Sequence, residues 1–370
     1  MFRQLFSSKN KPDYALLGII FLLLLIGIVM VYSSSYVWTD YKFDDPYFYL
    51  KRQLLFSAVG IIGMFVFMMI PYSTWKKYSS VILLVCFILL LAVLIPGIGM
   101  IRGGARSWIG VGAFSIQPAE FMKLGLIIYL AVFLSSRQKY ITSFKKGFFP
   151  SLILVFTAFG LIMLQPDLGT GIVLVGTCMV MIYAAGARLL HFLGLGLIGL
   201  AGFILLIVSA PYRLSRVTAF INPWEDPLGD GFQIIQSLYA IGPGGLMGLG
   251  LGDSIQKYFY LPEPQTDFIF SIIGEELGFL GGTFVLVLFA LLFWRGIKAG
   301  LEAPDAHGKF LALGIVSMLS IQVMINISVV IGLIPVTGIT LPFLSYGGSS
   351  LVLTLCSAGI LLNISRHARM

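Results

Sequence analysis

Ten apolar runs, each about the length of a membrane-crossing helix, follow one another through 370 residues and leave little else to fold. They fall at roughly 14–33, 53–70, 79–97, 117–136, 148–164, 169–186, 190–210, 267–294, 308–333 and 343–363. A hydrocarbon core of about 30 Å takes roughly 20 helical residues to cross, and every backbone polar group inside it must be bonded internally. With 58% hydrophobic and 11% charged residues, the chain lacks the polar surface that a water-soluble protein of this length needs. The sequence therefore predicts an all-α integral membrane protein of about ten transmembrane helices, residues 1–370 forming a single polytopic domain. The first run follows Arg3, Lys9 and Lys11 and is too long for a signal-peptide core, which predicts an uncleaved first helix.

Lys and Arg set orientation, while acidic residues contribute little. A cytoplasmic N-terminus places 15 of the 24 basic residues inside and 8 outside, with Lys123 within a helix. Both termini are then expected in the cytoplasm, and residues 211–267, between helices 7 and 8, form a large extracytoplasmic loop. The net charge of +8 follows from this topology, so nucleic-acid binding gets no support. Cys86, Cys178 and Cys356 lie in apolar helices and His191, His307 and His367 map to the cytoplasmic side, so neither a disulfide nor a histidine-based metal site or triad is expected.

Within the loop, Asn222-Pro223-Trp224-Glu225-Asp226-Pro227-Leu228-Gly229-Asp230-Gly231 is dense in turn formers. Phe232, Ile235, Leu238 and Tyr239 then recur at helical spacing, predicting a short amphipathic helix on the membrane surface. The glycine-rich run from Gly242 to Gly252 lacks the Gly-Lys-Ser/Thr ending and the preceding strand of a nucleotide loop, so it reads as a bend that lets backbone approach closely.

Ionisable groups in the apolar runs each need a partner or a task, because insertion at mid-helix costs on the order of 2.5–3.5 kcal/mol. Glu120 and Lys123 share one helix face, either as an internal ion pair or with Lys123 reaching Asp267 or an anionic ligand. Glu275 and Glu276 lie two to three turns below Asp267 and read as buried helix contacts. Asp267 stands at the outer end of its span, where a carboxylate meets both water and a lipid-borne substrate. Arg102, Arg106, Arg213 and Arg216 put guanidinium groups on the same side, as headgroup anchors or as phosphate ligands. Asp167 has the position of a helix cap, and Gln322 with Asn326 makes a polar stripe on the ninth helix that marks tight packing or a polar cavity.

Gly104-Ala105-Arg106-Ser107-Trp108-Ile109, Gln117-Pro118-Ala119-Glu120-Phe121, Gln165-Pro166-Asp167-Leu168-Gly169-Thr170, Asp226-Pro227-Leu228-Gly229, Gly231-Phe232-Gln233-Ile234-Ile235-Gln236-Ser237, Thr266-Asp267-Phe268-Ile269-Phe270 and Ser345-Tyr346-Gly347-Gly348-Ser349 run through most of the chain. Together these motifs resemble the SEDS family of bacterial cell-wall polymerases, which includes FtsW, RodA and SpoVE, and the wording around 222–227 and 261–267 is most similar to the SpoVE and FtsW branch. The resemblance implies a peptidoglycan glycosyltransferase that polymerises lipid II at the outer face of the bacterial cytoplasmic membrane, in division or in spore envelope synthesis. It also implies a class B penicillin-binding protein as transpeptidase partner, beside divisome or sporulation proteins.

By the same resemblance the family's essential aspartate falls on Asp267 and its charged fourth-helix positions on Glu120 and Lys123. Asp267 would act as general base on the acceptor hydroxyl. Arg102, Arg106, Lys123 and a divalent cation such as Mg²⁺ or Mn²⁺ would face the leaving diphosphate, with no organic cofactor. No ligand spacing identifies the metal. A lipid II flippase and a non-catalytic division or sporulation scaffold are the competing readings.

Overall fold

The computed structural model describes residues 11–102, 105–111, 114–208, 220–229 and 231–368. In chain order the helices are α1 (Tyr14–Phe43), α2 (Phe48–Met69), α3 (Tyr72–Ala92), α4 (Pro118–Arg137), α5 (Phe149–Met163), α6 (Leu168–Ala184), α7 (Leu189–Val208), α8 (Phe232–Ile241), α9 (Ile269–Leu301), α10 (Ala306–Val330) and α11 (Gly348–His367). Eight of them are long and apolar enough to cross a membrane, and α6 and α7 supply shorter apolar stretches. The expected helical membrane architecture is therefore present, with α8 as the short helix foreseen after the turn-rich segment. Its buried residues Ile234, Ile235, Ser237 and Ala240 show that it packs onto protein, where the sequence predicted a helix resting on lipid.

One element departs from the all-α expectation. Where the sequence leaves a connection between the third and fourth apolar runs, β1 (Gly99–Arg102), β2 (Ala105–Val111) and β3 (Phe114–Ile116) pair as an antiparallel meander. Strand pairing satisfies backbone groups that a loop lying on the helix ends would otherwise leave unbonded.

Helix ends define two faces. Asp13 caps α1 by accepting from the Ala15 and Leu16 amides at 3.0 and 3.1 Å, pairs with Arg295 of α9 at 2.9 Å, and its own amide donates to Ser365 of α11 at 3.1 Å. The described ends of the chain thus share one face, and Asp267, at the other end of α9, lies on the opposite one.

Close approach of helices rests on small residues. A Cβ on Gly359 of α11 would meet the Met64 carbonyl of α2 at 2.3 Å, and one on Gly125 of α4 would meet Cys86 Sγ of α3 at 2.6 Å. Gly27, midway along α1, touches the backbone of Phe343 and Leu344. The sequence placed the last span from 343, but α11 starts at Gly348 and residues 341–347 enter the protein without helical structure. Such backbone survives at membrane depth only when protein covers and bonds it. Here Leu341–Ser345 are buried, the Leu341 amide donates to Ser345 Oγ at 2.8 Å, and the Tyr346 amide donates to the Gln265 carbonyl at 2.8 Å.

Candidate active site

Asp267 sits two residues before α9, at a position fixed from three directions. Asn326, near the end of α10, spends both amide hydrogens on carbonyls, those of Asp267 and Ile339, each at 2.7 Å. Only the NH₂ end of an amide can satisfy two carbonyls, so this contact settles which way Asn326 points. Gln265 is buried, takes the Tyr346 amide on its carbonyl and hydrogen-bonds Tyr49 of α2. Of the polar stripe noticed on the ninth helix, Asn326 is thus a clamp on the backbone that carries Asp267.

The third support comes from the glycine-rich run. α9 is broken at Gly278, whose φ of 66° and ψ of −165° belong to a region that only glycine occupies comfortably. The amides of Leu249 and Gly250 donate to the Glu275 and Glu276 carbonyls at 2.9 and 3.1 Å. The amides of Phe279 and Leu280 donate to the Gly245 and Leu246 carbonyls at 2.9 and 3.1 Å. The loop replaces the helical bonds lost at the break. A Cβ on Gly248 would fall 2.1 Å from the Glu276 carbonyl, and one on Gly244 2.0 Å from that of Gly274. The predicted close backbone approach is therefore made to a broken helix.

Glu275 and Glu276, at 0% and 1% exposure, lock this arrangement. Glu275 accepts from Ser254 Oγ at 2.6 Å and from the Ile255 amide at 2.7 Å. Glu276 accepts from Ser33 of α1 at 2.8 and 2.6 Å and pairs with Lys257 at 3.1 Å. Lys257 also donates to the Gly252 carbonyl and lies 4.9 Å from the Tyr36 ring. These carboxylates are buried contacts, as the sequence suggested, but their partners are loop residues more than helices. Lys257 is one of the 8 basic residues that the topology places outside, and nothing in its neighbours signals that the loop folds inward.

The Asp267 side chain is partly buried, and burial pushes its pKa from 3.8 up to about 6, opposed by the Thr266 hydroxyl and reinforced by Glu263. Thr266 Oγ1 lies 2.9 Å from Asp267 Oδ1 and 3.3 Å from Glu263 Oε2, so one hydroxyl stands between two carboxylates. With a pKa of about 6 the acid is mainly ionised near pH 7, with no cation among the described residues contributing to that.

That neighbour was expected to be Lys123, and the structure assigns it elsewhere. Lys123 Nζ lies 2.7 Å from Glu120 Oε1, the internal ion pair that the spacing also allowed, and no ion pair among the described residues involves Asp267. Lys123 is 3% exposed, and the Glu120 carboxylate is the partner that its ammonium has among the described residues. Beside it Asp167 caps α6 through the Thr170 amide at 3.1 Å and accepts from Gln117 at 2.7 Å, with burial raising its pKa. This cluster meets the Asp267 region through residues 337–339, since a Cβ on Gly169 would contact the Thr337 carbonyl and the Ile339 side chain.

Arg106 lies on β2, packed against Gly99 of β1. Arg102 ends β1, but its side chain, like the whole of Arg213 and Arg216, lies outside the described residues. No group of three or more His, Cys, Asp and Glu among the described residues converges as a metal cage. Glu263 with Asp267 offers two carboxylates, a donor set that suits a Mg²⁺-like ion sharing its remaining positions with substrate phosphates.

The sequence profile described as "Cell cycle protein", covering FtsW, RodA and SpoVE, matches residues 14–370. Stage V sporulation protein E of Bacillus subtilis (strain 168) is 65% identical over 363 residues, covering 98% of this chain and 99% of that protein. The probable peptidoglycan glycosyltransferase FtsW of Geobacter sp. (strain M18) is 45% identical over 357 residues, covering 96% and 97%. Among solved structures, one described as "Structural coordination of polymerization and crosslinking by a peptidoglycan synthase complex" superposes with a TM-score of 0.80 at 32% identity, covering 96% of this chain and 98% of the other. The rod shape determining protein RodA of Thermus thermophilus gives 0.72 at 28%, covering 97% and 98%. Profile, relatives and superposition agree with the motifs and the helical bundle: the chain is a multi-pass membrane protein of the SEDS family, the family of FtsW, RodA and SpoVE.

Proposed function

We propose that this protein is an inverting peptidoglycan glycosyltransferase that polymerises lipid II at the outer face of the cytoplasmic membrane, with the Asp267 face outward and both termini in the cytoplasm. The observation that carries the reading is the Asp267 carboxylate held at a helix end by three separate supports, in a partly buried site where burial raises its pKa to about 6. A general base works best with a pKa near the working pH, where it is ionised yet still basic. Asp267 takes the proton from the acceptor sugar hydroxyl as that oxygen attacks the donor's anomeric carbon, and the bond to the polyprenyl diphosphate breaks. The leaving diphosphate is a weak base, so it needs positive charge more than a general acid. Arg106 and Lys123, with Arg102, Arg213 and Arg216, are the proposed sources of that charge. Glu263 would help to hold a divalent cation, which would supply further charge when bound and leave Asp267 free to take the proton.

The partner is a class B penicillin-binding protein that crosslinks the product. Support comes from the structural neighbour described as a peptidoglycan synthase complex. Similarity to a stage V sporulation protein favours a role in spore envelope synthesis. Purified protein given lipid II tests the reading. Glycan chains that disappear in Asp267→Asn support polymerisation, translocation without polymer indicates a lipid carrier, and neither product indicates a scaffold.

A further inference from the structure

On the face that carries the described chain ends, α5 and α7 part to leave an open cavity of about 510 Å³. Phe148, Leu152 and Phe156 line one wall, and His191, Gly194 and Leu195 the other. From Phe148 to Phe156 the helical rise is about 12 Å, close to the roughly 15 Å hydrocarbon depth of one leaflet. The groove is open beside Gly194, where a Cβ would meet nothing within 4 Å. The groove thus has the length and lining of a slot for one acyl chain.

At one end of the groove stands His191, and basic residues adjoin the lining residues in the chain. His191 sits against Phe148 and Phe144, with ring centroids 4.9 and 5.4 Å away, and its Nδ1 is buried with no hydrogen-bond partner among the described residues. Lys145 and Lys146 lie in the turn leading into α5, and Arg188 immediately precedes α7. All three are exposed, and none forms an ion pair among the described residues. The sequence holds no Asp or Glu from 121 to 166 or from 168 to 224, so this charge has no local counterweight. A basic fringe at a membrane face is ordinary for topology. Its place in the chain beside residues that line an apolar slot is not required by topology.

We propose that the α5–α7 groove is a binding site for an anionic phospholipid, with its phosphate against Lys145, Lys146, Arg188 and His191 and one acyl chain between the helices. The site is separate from Asp267 and does not depend on the polymerase reading. The test exposes purified protein to mixed micelles holding equal phosphatidylglycerol and phosphatidylcholine of matched chains, then counts retained lipid by native mass spectrometry. Wild type should prefer phosphatidylglycerol by about tenfold or more, given three cations at the headgroup level. Combined Lys145→Gln, Lys146→Gln and Arg188→Gln should bring the preference close to unity. Lys76→Gln with Lys77→Gln, on the same face but away from the groove, should leave it intact, and Gly194→Leu should reduce retention of both lipids. Equal retention of the two lipids by wild type overturns the proposal, as does a preference that survives the triple substitution or falls equally with Lys76 and Lys77. If wild type retains neither lipid, the proposal fails and the groove is left to a protein helix.

Discussion

Replacing Asp267 with Asn should abolish polymerisation and, at the same time, stabilise the protein. Burial raises the carboxyl pKa from 3.8 to about 6, so above that pH the folded state holds a charge in a site where the neutral form is preferred. One pKa unit corresponds to about 1.4 kcal/mol, which sets a ceiling near 3 kcal/mol for the shift. The side chain is only partly buried, and solvent screening brings the expected gain down to about 1–2 kcal/mol. An Asn oxygen still accepts from Thr266, so no hydrogen bond need be lost. The sign follows from the direction of the shift. Below 3.8 both folded and unfolded chains carry a neutral acid and the substitution changes nothing, whereas the cost of the charge grows through the window between 3.8 and 6 and is complete above it. Thermal unfolding in detergent at pH 7.5 should therefore give a higher Tm for Asp267→Asn than for wild type, with the difference shrinking towards pH 4. The same preparation should lose about 10²- to 10⁴-fold in rate on lipid II, the usual contribution of a general base. A lower Tm at pH 7.5, a Tm difference that ignores pH, or a variant polymerising within tenfold of wild type would each refute the reasoning.

Other predictions test the surroundings of the site. The rate of polymerisation by wild type should fall as pH drops through about 6, and Glu263→Gln should move that limb to lower pH, because the Glu263 charge helps raise the Asp267 pKa; a pH–rate profile reads both. Lys257→Met alone should cost roughly 3–5 kcal/mol by leaving Glu276 buried and unpaired, and adding Glu276→Leu should recover most of it, as denaturation of single and double variants will show. Gly278→Ala should destabilise by about 3 kcal/mol or prevent folding, since its backbone is strained for any other residue and the new Cβ would lie 2.3 Å from the Gly248 amide nitrogen; expression and thermal unfolding measure it. Asn326→Leu should lower polymerisation more than it lowers Tm, by freeing the backbone of Asp267, with Asn326→Gln restoring part of the rate.

The fold was legible because membrane insertion depends on local composition. A run such as 14–33 must be helical whatever its neighbours do, since lipid offers its backbone no other partner. The reading failed where protein replaces lipid as the covering. Residues 343–347 looked like the start of a helix, yet they continue a run of turns, because Gln53 and Gln265, from other parts of the chain, meet the Ser345 carbonyl and the Tyr346 amide, and the Ser345 hydroxyl takes the Leu341 amide. The strands at 99–116 were missed for a related reason, as their apolar content is too low and their length too short to separate a meander from a loop.

By itself the sequence determined that the chain is a helical membrane protein and that Asp267, Glu120 and Lys123 are charges needing an explanation, because length, hydropathy and helical spacing are local properties. Only the tertiary structure decided which partners those charges take. Lys123 is committed to Glu120, Lys257 is drawn from the loop to Glu276, and Asp267, beside Glu263, forms no ion pair among the described residues. Electrostatic energies depend on distance and burial between residues far apart in the chain, and neither quantity exists until the helices have packed.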